Sequence, residues 1–296
     1  MALDAGAERL CGFVYVANTE AYITEAIASA ESLRRHMPQA AVSLIAPEQL
    51  WPHRPDLFNT LIRPTRTEKT PIVKNDAPLA SYGRVAFIDT DTRFAADFME
   101  CFDVLDRFDL ALAHEPTRGW NYETSAARAF CELNTGVILF RNTLPVRTFF
   151  AQWLIHYQSM LTELGLRNDQ PSFRQALWEN SGLSLCTLPT EFHCIVGKPV
   201  SLAWEVRLIH GRGDLSYDEK FINAQLGYRS YIRGIGCFTP YAGRLKLLRD
   251  WLRLTRRFAK GFFSPGVFDV EFTRIPLPHK WHLGETDAVQ PSRETI

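Results

Sequence analysis

The sequence predicts an α/β protein built on a largely parallel sheet covered by helices. Three observations carry that expectation. Short apolar runs rich in strand formers recur at 12–17, 41–46, 85–88, 108–113 and 136–140. Early in the chain such runs alternate with stretches of helical spacing, the pattern of parallel strands joined by crossover helices. The composition, 46% hydrophobic and 22% charged over 296 residues, supplies a core for one large packed domain.

Each element has its own reason. Gly12-Phe-Val-Tyr-Val-Ala17 is apolar on both faces and reads as a buried strand. A helix follows over 20–36, with Ala26, Ile27, Ala30 and Leu33 on one stripe, and Pro38 stops it. A second strand at 41–46 ends at Pro47, and a third, short one is expected at 59–63. Residues 74–81 read as helical, and the apolar strand 85–88 runs straight into Asp89. Further strands are expected at 108–113, 136–140, 183–188 and 206–209, with helices over 145–164 and 170–178. No internal repeat is present, and the chain from about 284 is polar and expected to fray.

Bulk properties exclude some classes. Lys plus Arg equals Asp plus Glu at 33 each, which argues against a whole-protein nucleic-acid binder. Residues 1–9 lack the basic start and apolar run of a secretory signal. The apolar runs are too short to span a bilayer. Six cysteines without CxxC spacing argue against a metal cage or a disulfide framework, and they read as mostly buried thiols in a reducing compartment.

The most informative point is Phe87-Ile-Asp-Thr-Asp-Thr92. In extended chain, residues two apart face one side, so Asp89 and Asp91 can aim two carboxylates at one point as the strand leaves the sheet. Ligands of open α/β sheets sit at that edge. Two hard oxygen donors suit Mg2+ or Mn2+ shared with phosphate oxygens. Alone, Asp-x-Asp is a frequent chance pattern. Asp-Thr-Asp-Thr also resembles the nucleophile motif of haloacid-dehalogenase-like phosphatases, in which Asp89 would attack phosphorus. Gly213-Asp214 with Asp218 matches the bare spacing of that family's later metal motif, but no apolar strand leads into it.

Taken in order, five blocks resemble glycosyltransferase family 8, which includes glycogenin and lipopolysaccharide galactosyltransferases. They are Val16-Ala-Asn-Thr-Glu-Ala-Tyr22, residues 79–92 ending in the Asp-x-Asp, Leu133-Asn-Thr-Gly-Val-Ile-Leu-Phe140, Asn168-Asp-Gln170 and Leu208-Ile-His-Gly211. The resemblance runs from about residue 13 to 213. It implies a GT-A fold with a Rossmann-like, mostly parallel sheet in one domain, 10–240. It implies metal-dependent transfer of a hexose from a nucleotide diphosphate sugar, with a UDP-sugar the expected donor, to a glycan or lipid-linked acceptor. Retention of configuration and Mn2+ or Mg2+ come with it.

By position the resemblance makes Asp89, Asp91 and His210 metal ligands. It makes Val16, Asn18, Thr19, Tyr22, Lys74, Asn134, Asp169, Gln170, Gly211 and Arg212 donor contacts. Asp169 and Gln170 would stand beside the reacting carbon, and Glu115 before Pro116 stands where relatives often carry a sugar-binding acid. Several of these have structural readings too: Asn18 or Thr19 as a helix N-cap, Asn134 as a turn residue, Asn168 or Asp169 as a cap. The chain departs from the family after His210, where Arg212, Gly213 and Asp214 replace the usual Lys-Pro-Trp. Neutralising a diphosphate then falls to Arg212, to Lys220 or to the metal. A catalytically inactive, sugar-nucleotide-binding GT-A domain is a further alternative.

The segment 241–265 is of another kind. On a helical projection Lys246, Arg249, Arg253, Arg256, Arg257 and Lys260 share one sector, opposite Leu245, Leu248, Trp251, Leu252, Phe258 and Phe262. That pattern suits the plane of an anionic membrane, so the expected location is cytoplasmic, peripheral on the cytoplasmic membrane face. A helix packed on the domain with a solvated basic face is the alternative. Residues 266–296 form an expected tail.

Overall fold

The computed structural model describes residues 10–66, 70–116, 125–127, 129–180, 182–196, 198, 202, 204–223, 230–232 and 236–238, with 252, 255, 256 and 259. The opening residues 1–9, the tail 266–296 and most of the basic segment 241–265 lie outside the described residues. Within that segment Leu252, Thr255, Arg256 and Ala259 are helical. Among the described residues no helix is long and apolar enough to cross a membrane.

The first strand, β1 (Cys11–Val16), leads into helix α1 (Glu20–His36), β2 (Val42–Ile45) and β3 (Thr60–Ile62). Then come β4 (Arg84–Ile88), β5 (Thr92–Phe94), β6 (Leu110–Ala113) and β7 (Val137–Arg141). Helices α2 (Leu144–Leu164) and α3 (Gln170–Glu179) follow, then β8 (Leu185–Leu188), β9 (Cys194–Ile195), β10 (Leu208–His210) and α4 (Ser216–Phe221). A central seven-stranded sheet has the order β3-β2-β1-β4-β7-β6-β8. A small second sheet, β5-β10-β9, is joined to it through the Asp89–Asp91 turn.

Both faces of the central sheet are covered, which explains why its strands read as continuous apolar runs rather than alternating ones. Phe13 and Tyr15 of β1 point into the layer under α1, with Phe94, Phe98 and Phe102. Val14 and Val16 point into the opposite layer, where Phe149, Phe150 and Trp153 of α2 meet Phe173 of α3. The rings of Phe13 and Phe94 meet edge to face at 5.6 Å, and those of Trp153 and Phe173 at 4.9 Å.

The sheet is mostly parallel, but β7 runs antiparallel to both β4 and β6. Periodicity gives a strand's burial and not its direction, so the apolar pattern left this reversal open. Its consequence is positional. The start of β7 lies beside the end of β4, with Ile88 opposite Val137. The residues just before β7 therefore reach the same sheet edge as Asp89.

Two expectations change. Residues 74–81 are not an α-helix. The chain forms a 3₁₀ helix over Pro71–Leu79, where Pro78 has no N–H for an i−4 bond. The thiols are less buried than expected: Cys101 and Cys194 are buried, whereas Cys11, Cys131 and Cys186 are partly open. These three sit at a strand start, in a loop and in the edge strand β8.

Trp153 ties this packing to the end of the sheet. Its indole N–H donates to the Asp169 carbonyl at 3.2 Å and to Ser172 Oγ at 3.1 Å, fixing the start of α3. Replacing Trp153 by Ala is expected to cost about 3–5 kcal/mol in urea unfolding, as for other buried aromatics. Trp153→Phe keeps most of the packing and removes the donor, for an expected cost of about 1–2 kcal/mol.

Candidate active site

The chain leaves β4 at Ile88 and makes the turn Asp89-Thr90-Asp91 before β5. This turn is held on every side. The Asp89 N–H donates to the Gly136 carbonyl at 2.8 Å, and the Gly211 N–H donates to the Asp91 carbonyl at 3.0 Å. Thr92 Oγ1 donates back to the Asp89 carbonyl at 2.8 Å. From the α1 side, Glu25 accepts from Thr90 Oγ1 at 2.8 Å. A buried hydroxyl chain runs from Tyr15 through Ser29 to Thr92, with links of 2.9 and 2.8 Å. Ser32 Oγ accepts from the Phe94 N–H at 2.8 Å. The small polar residues on the α1 stripe thus face β5 and set the turn.

His210 arrives from the second sheet. Strand β10 pairs antiparallel with β5, and His210 lies opposite Thr92. Its Nε2 is 3.1 Å from Asp91 Oδ1. Ligand atoms of Asp89, Asp91 and His210 all lie within 4.8 Å of one another. Gly136 makes room for this ring: a Cβ there would overlap the imidazole and lie 2.8 Å from its Nδ1. The missing side chain at 136 thus admits the His210 ring.

A cation lies behind the carboxylates. Lys74 is buried, with its ammonium 3.3 Å from Asp89 Oδ1 and 3.2 Å from Asp169 Oδ2. It also donates to the Thr135 carbonyl at 3.2 Å. Burial pulls this ammonium down, but Asp169 and Asp89 outweigh it and its pKa ends above the ordinary value. Burial raises the Asp89 carboxyl, with Lys74 and His210 opposing in part. For Asp91, burial is outweighed by the hydrogen bond and charge of His210, which hold it near about 2. Burial likewise acts downward on His210, and Asp91 and Asp89 raise it overall.

Next to this centre the loop before β7 builds a polar wall. Asn134 is buried; its carbonyl oxygen accepts from the Gly136 N–H at 2.8 Å and its amide donates to Glu115 at 2.7 Å. Gln170 Nε2 approaches the same Glu115 oxygen at 3.4 Å. Gln170 Oε1 is buried without a hydrogen-bond partner in the protein. Thr135 Oγ1 donates to Asp169 Oδ2 at 2.9 Å. Asn168 makes the local turn, accepting from the Gln170 N–H at 3.0 Å. Glu115 thus joins Asn134 and Gln170, while Asp169, beside Gln170 in the chain, is held by Thr135 and linked to Asp89 by Lys74.

The remaining expected residues are placed as follows. Val16 ends β1, which runs parallel beside β4, so it reaches the same edge. Asn18 is buried. Thr19 is the N-cap of α1 and accepts from the Tyr22 N–H at 3.3 Å, while Tyr22 is more than a third exposed. Gly211 holds the Asp91 carbonyl through its N–H. The Arg212 side chain is 83% exposed, its Nε 3.9 Å from Asp91 Oδ2.

Two residues escaped sequence reasoning. His193, buried, lies edge to edge with His210 in nearly the same plane, with ring centroids 4.9 Å apart. It follows no motif and could not be told from any other core histidine. Glu132 is 8% exposed, and its Oε1 is buried without a hydrogen-bond partner in the protein. Its signal was an acid in an apolar approach to a strand, two residues before Asn134.

Residues 83–205 match the family model described as nucleotide-diphospho-sugar transferase. The match contains Asp89, Asp91, Asn134, Asp169 and Gln170; it starts after Lys74 and ends before His210. No curated protein matches the sequence. Among solved structures, an active-site mutant of LgtC superposes with a TM-score of 0.51 at 13% identity, over 69% of this chain and 88% of that one. LgtC in complex with donor and acceptor sugar analogs gives 0.51 at 12%, over 68% and 87%. The apo glycosyltransferase GlyE of Streptococcus pneumoniae gives 0.50 at 16%, over 70% and 55%. The fold is that of the GT-A glycosyltransferases, as the sequence resemblance implied.

Glu132 generates a pH test. Burial pushes its carboxyl up to about 7 from 4.5, against partial offset by Arg174 and with Glu115 and Asp169 adding to the rise. The native state then binds this proton more tightly than the unfolded chain. Its stabilising contribution is complete below about pH 4.5 and is lost as the pH rises through about 7. Glu132→Gln is expected to gain about 1–2 kcal/mol relative to wild type between pH 4.5 and pH 8 in urea melts. A difference independent of pH would contradict the assignment.

Proposed function

We propose that this GT-A transferase moves a hexose from a UDP-sugar to a glycan or lipid-linked acceptor, with retention of configuration, and that it works with Mn2+ or Mg2+. The observation that carries the reading is the approach of Asp89, Asp91 and His210 to within 4.8 Å at the carboxyl edge of a GT-A sheet. Two carboxylates and one imidazole fit a divalent cation of this kind, which leaves coordination positions for phosphate oxygens. When bound, such an ion would stabilise the negative charge that grows on the departing diphosphate.

The chain's own residues would do the rest. Val16, Asn18, Thr19 and Tyr22 border the edge where a nucleoside would lie. Lys74 is already shared between Asp89 and Asp169, so it fixes those carboxylates more than it offers a free charge to a phosphate. Arg212, exposed beside Asp91, would supply the cation for the diphosphate. Asn134, Glu115 and Asp169 supply amide and carboxylate groups for sugar hydroxyls. The unpartnered Gln170 Oε1 is an acceptor suited to partial positive charge near the anomeric carbon.

The phosphatase alternative needs Asp89 as a nucleophile. Lys74 and the hydrogen-bonded wall favour a fixed, charge-compensated carboxylate instead. Trapping a phospho-aspartate at Asp89 would reverse that preference. The intact three-residue cluster favours activity over a domain that only binds.

Calorimetry with UDP in the presence and absence of Mn2+ tests the donor and the metal together. UDP binding is expected to require Mn2+ and to weaken at least tenfold in Asp91→Ala. Equal affinity with and without the ion would sink the reading. A thermal-shift screen of UDP-, GDP- and CMP-sugars with Mn2+ ranks the bases, since a ligand at about 100 times its Kd adds about 2.7 kcal/mol of apparent stability. Gly136→Ala is expected to fold, to push His210 away from Asp91 and to reduce Mn2+ affinity by about tenfold or more. Unchanged Mn2+ binding there would remove His210 from the ligand set.

A further inference from the structure

We propose that His193 is a positioning residue that fixes the ring tautomer of His210, and so presents the His210 Nε2 lone pair to the cation. The inference rests on the metal reading given above and adds a residue to it. His193 Nε2 lies 2.7 Å from His210 Nδ1, and the two rings are nearly parallel, with 16° between their planes. The pair is set by backbone pairing. His193 directly precedes β9, and β9 runs parallel to β10 with Ile195 beside His210. Gly136, with no side chain, closes the other side of the His210 ring. His193 is 2% exposed, out of reach of substrate.

The chemistry follows from counting protons on two nitrogens. The His210 nitrogen that faces Asp91 is Nε2, at 3.1 Å. A metal bound there uses the Nε2 lone pair, so the proton of a neutral imidazole must sit on Nδ1. That Nδ1–H then donates to the nitrogen facing it, His193 Nε2, whose own proton sits on Nδ1, a buried atom with no hydrogen-bond partner in the protein, so the metal bond at His210 Nε2 must offset that cost. Without an acceptor at 193, Nδ1–H of His210 would be buried and unsatisfied. The ring would favour the other tautomer, with Nε2–H donating to Asp91 and no lone pair left for a cation. The partner on the far nitrogen thus decides whether His210 is a ligand or a hydrogen-bond donor.

Three variants at one position separate this role from packing. His193→Gln keeps an acceptor but loses the ring. His193→Phe keeps a flat ring that fills the space but loses the acceptor, and His193→Leu loses both. Mn2+ alone, without nucleotide, is titrated into the full chain and free ion is read by electron paramagnetic resonance. Melting in EDTA checks the fold. His193→Phe and His193→Leu are expected to weaken Mn2+ binding by about 10- to 100-fold, with His193→Gln within a few-fold of wild type. A packing role predicts the reverse order, Phe better than Gln, and that result overturns the proposal, as does wild-type affinity in Phe. If wild type binds no Mn2+, the metal reading falls and this inference with it. If wild type binds and only the variant order fails, the metal reading stands and His193 is a packing residue. Should the apolar variants not fold, the ring 15N shifts of His210 in Mg2+-loaded wild type decide, where a bare Nδ1 would refute the assignment.

Discussion

The structure is organised around a charge problem at the end of one strand. Asp89, Asp91 and Asp169 converge on one sheet edge, and carboxylates drawn out of water repel one another unless compensated. Lys74 compensates two of them and His210 the third. Neither partner is a surface group that happened to be near. Lys74 comes from a 3₁₀ segment packed over the sheet, its ammonium 5.4 Å from the Phe87 ring, and His210 comes from a separate small sheet. Removing Lys74 would leave the buried Asp169 carboxylate without its charged partner, which is costlier than losing a surface ion pair.

That compensation explains why so much of the fold is devoted to a three-residue turn. A parallel sheet ends its strands at one edge, which places Val16 and Asp89 side by side. The reversed strand β7 brings its preceding loop to the same edge, so Asn134, Thr135 and Gly136 join them. The antiparallel pairing of β10 with β5 delivers His210 opposite the start of β5. Three independent strand pairings, two of them antiparallel, are therefore needed to assemble one cluster. The hydroxyls of Tyr15, Ser29 and Thr92 then lock the turn from below, and these buried polar side chains are satisfied by one another rather than by water.

Much of this was legible in the sequence, and the parts that were not share a cause. Strands such as 85–88 and helices such as 145–164 were readable because burial imposes periodicity on local sequence. Asp89 and Asp91 were readable because their geometry follows from a spacing of two along extended chain. The direction of β7 was not readable, since an apolar run is the same in either sense. The 3₁₀ form of Pro71–Leu79 was hidden because apolar spacing at three and at four overlap in a short segment, and only Pro78 hinted otherwise. His193 and Glu132 were hidden for a different reason. Their roles arise from neighbours 17 residues and more away, His210 in one case and Glu115, Asp169 and Arg174 in the other, and no local pattern encodes those contacts.

The neighbourhood of Lys74 carries one more consequence. A divalent ion beside Asp89 would compete with the ammonium for the same carboxylate, since both are cations seeking one oxygen pair. The ammonium has a second carboxylate, Asp169, at a slightly shorter distance, together with the Thr135 carbonyl. It can therefore yield one oxygen of Asp89 without becoming an unpaired buried charge. Asp169 in turn is anchored by Thr135 Oγ1, and its carbonyl by Trp153. The same lysine thus couples the cluster around Asp91 to the start of α3, where Gln170 stands. Lys74 Nζ stands between the Asp89 and Asp169 carboxylates, 3.3 and 3.2 Å away.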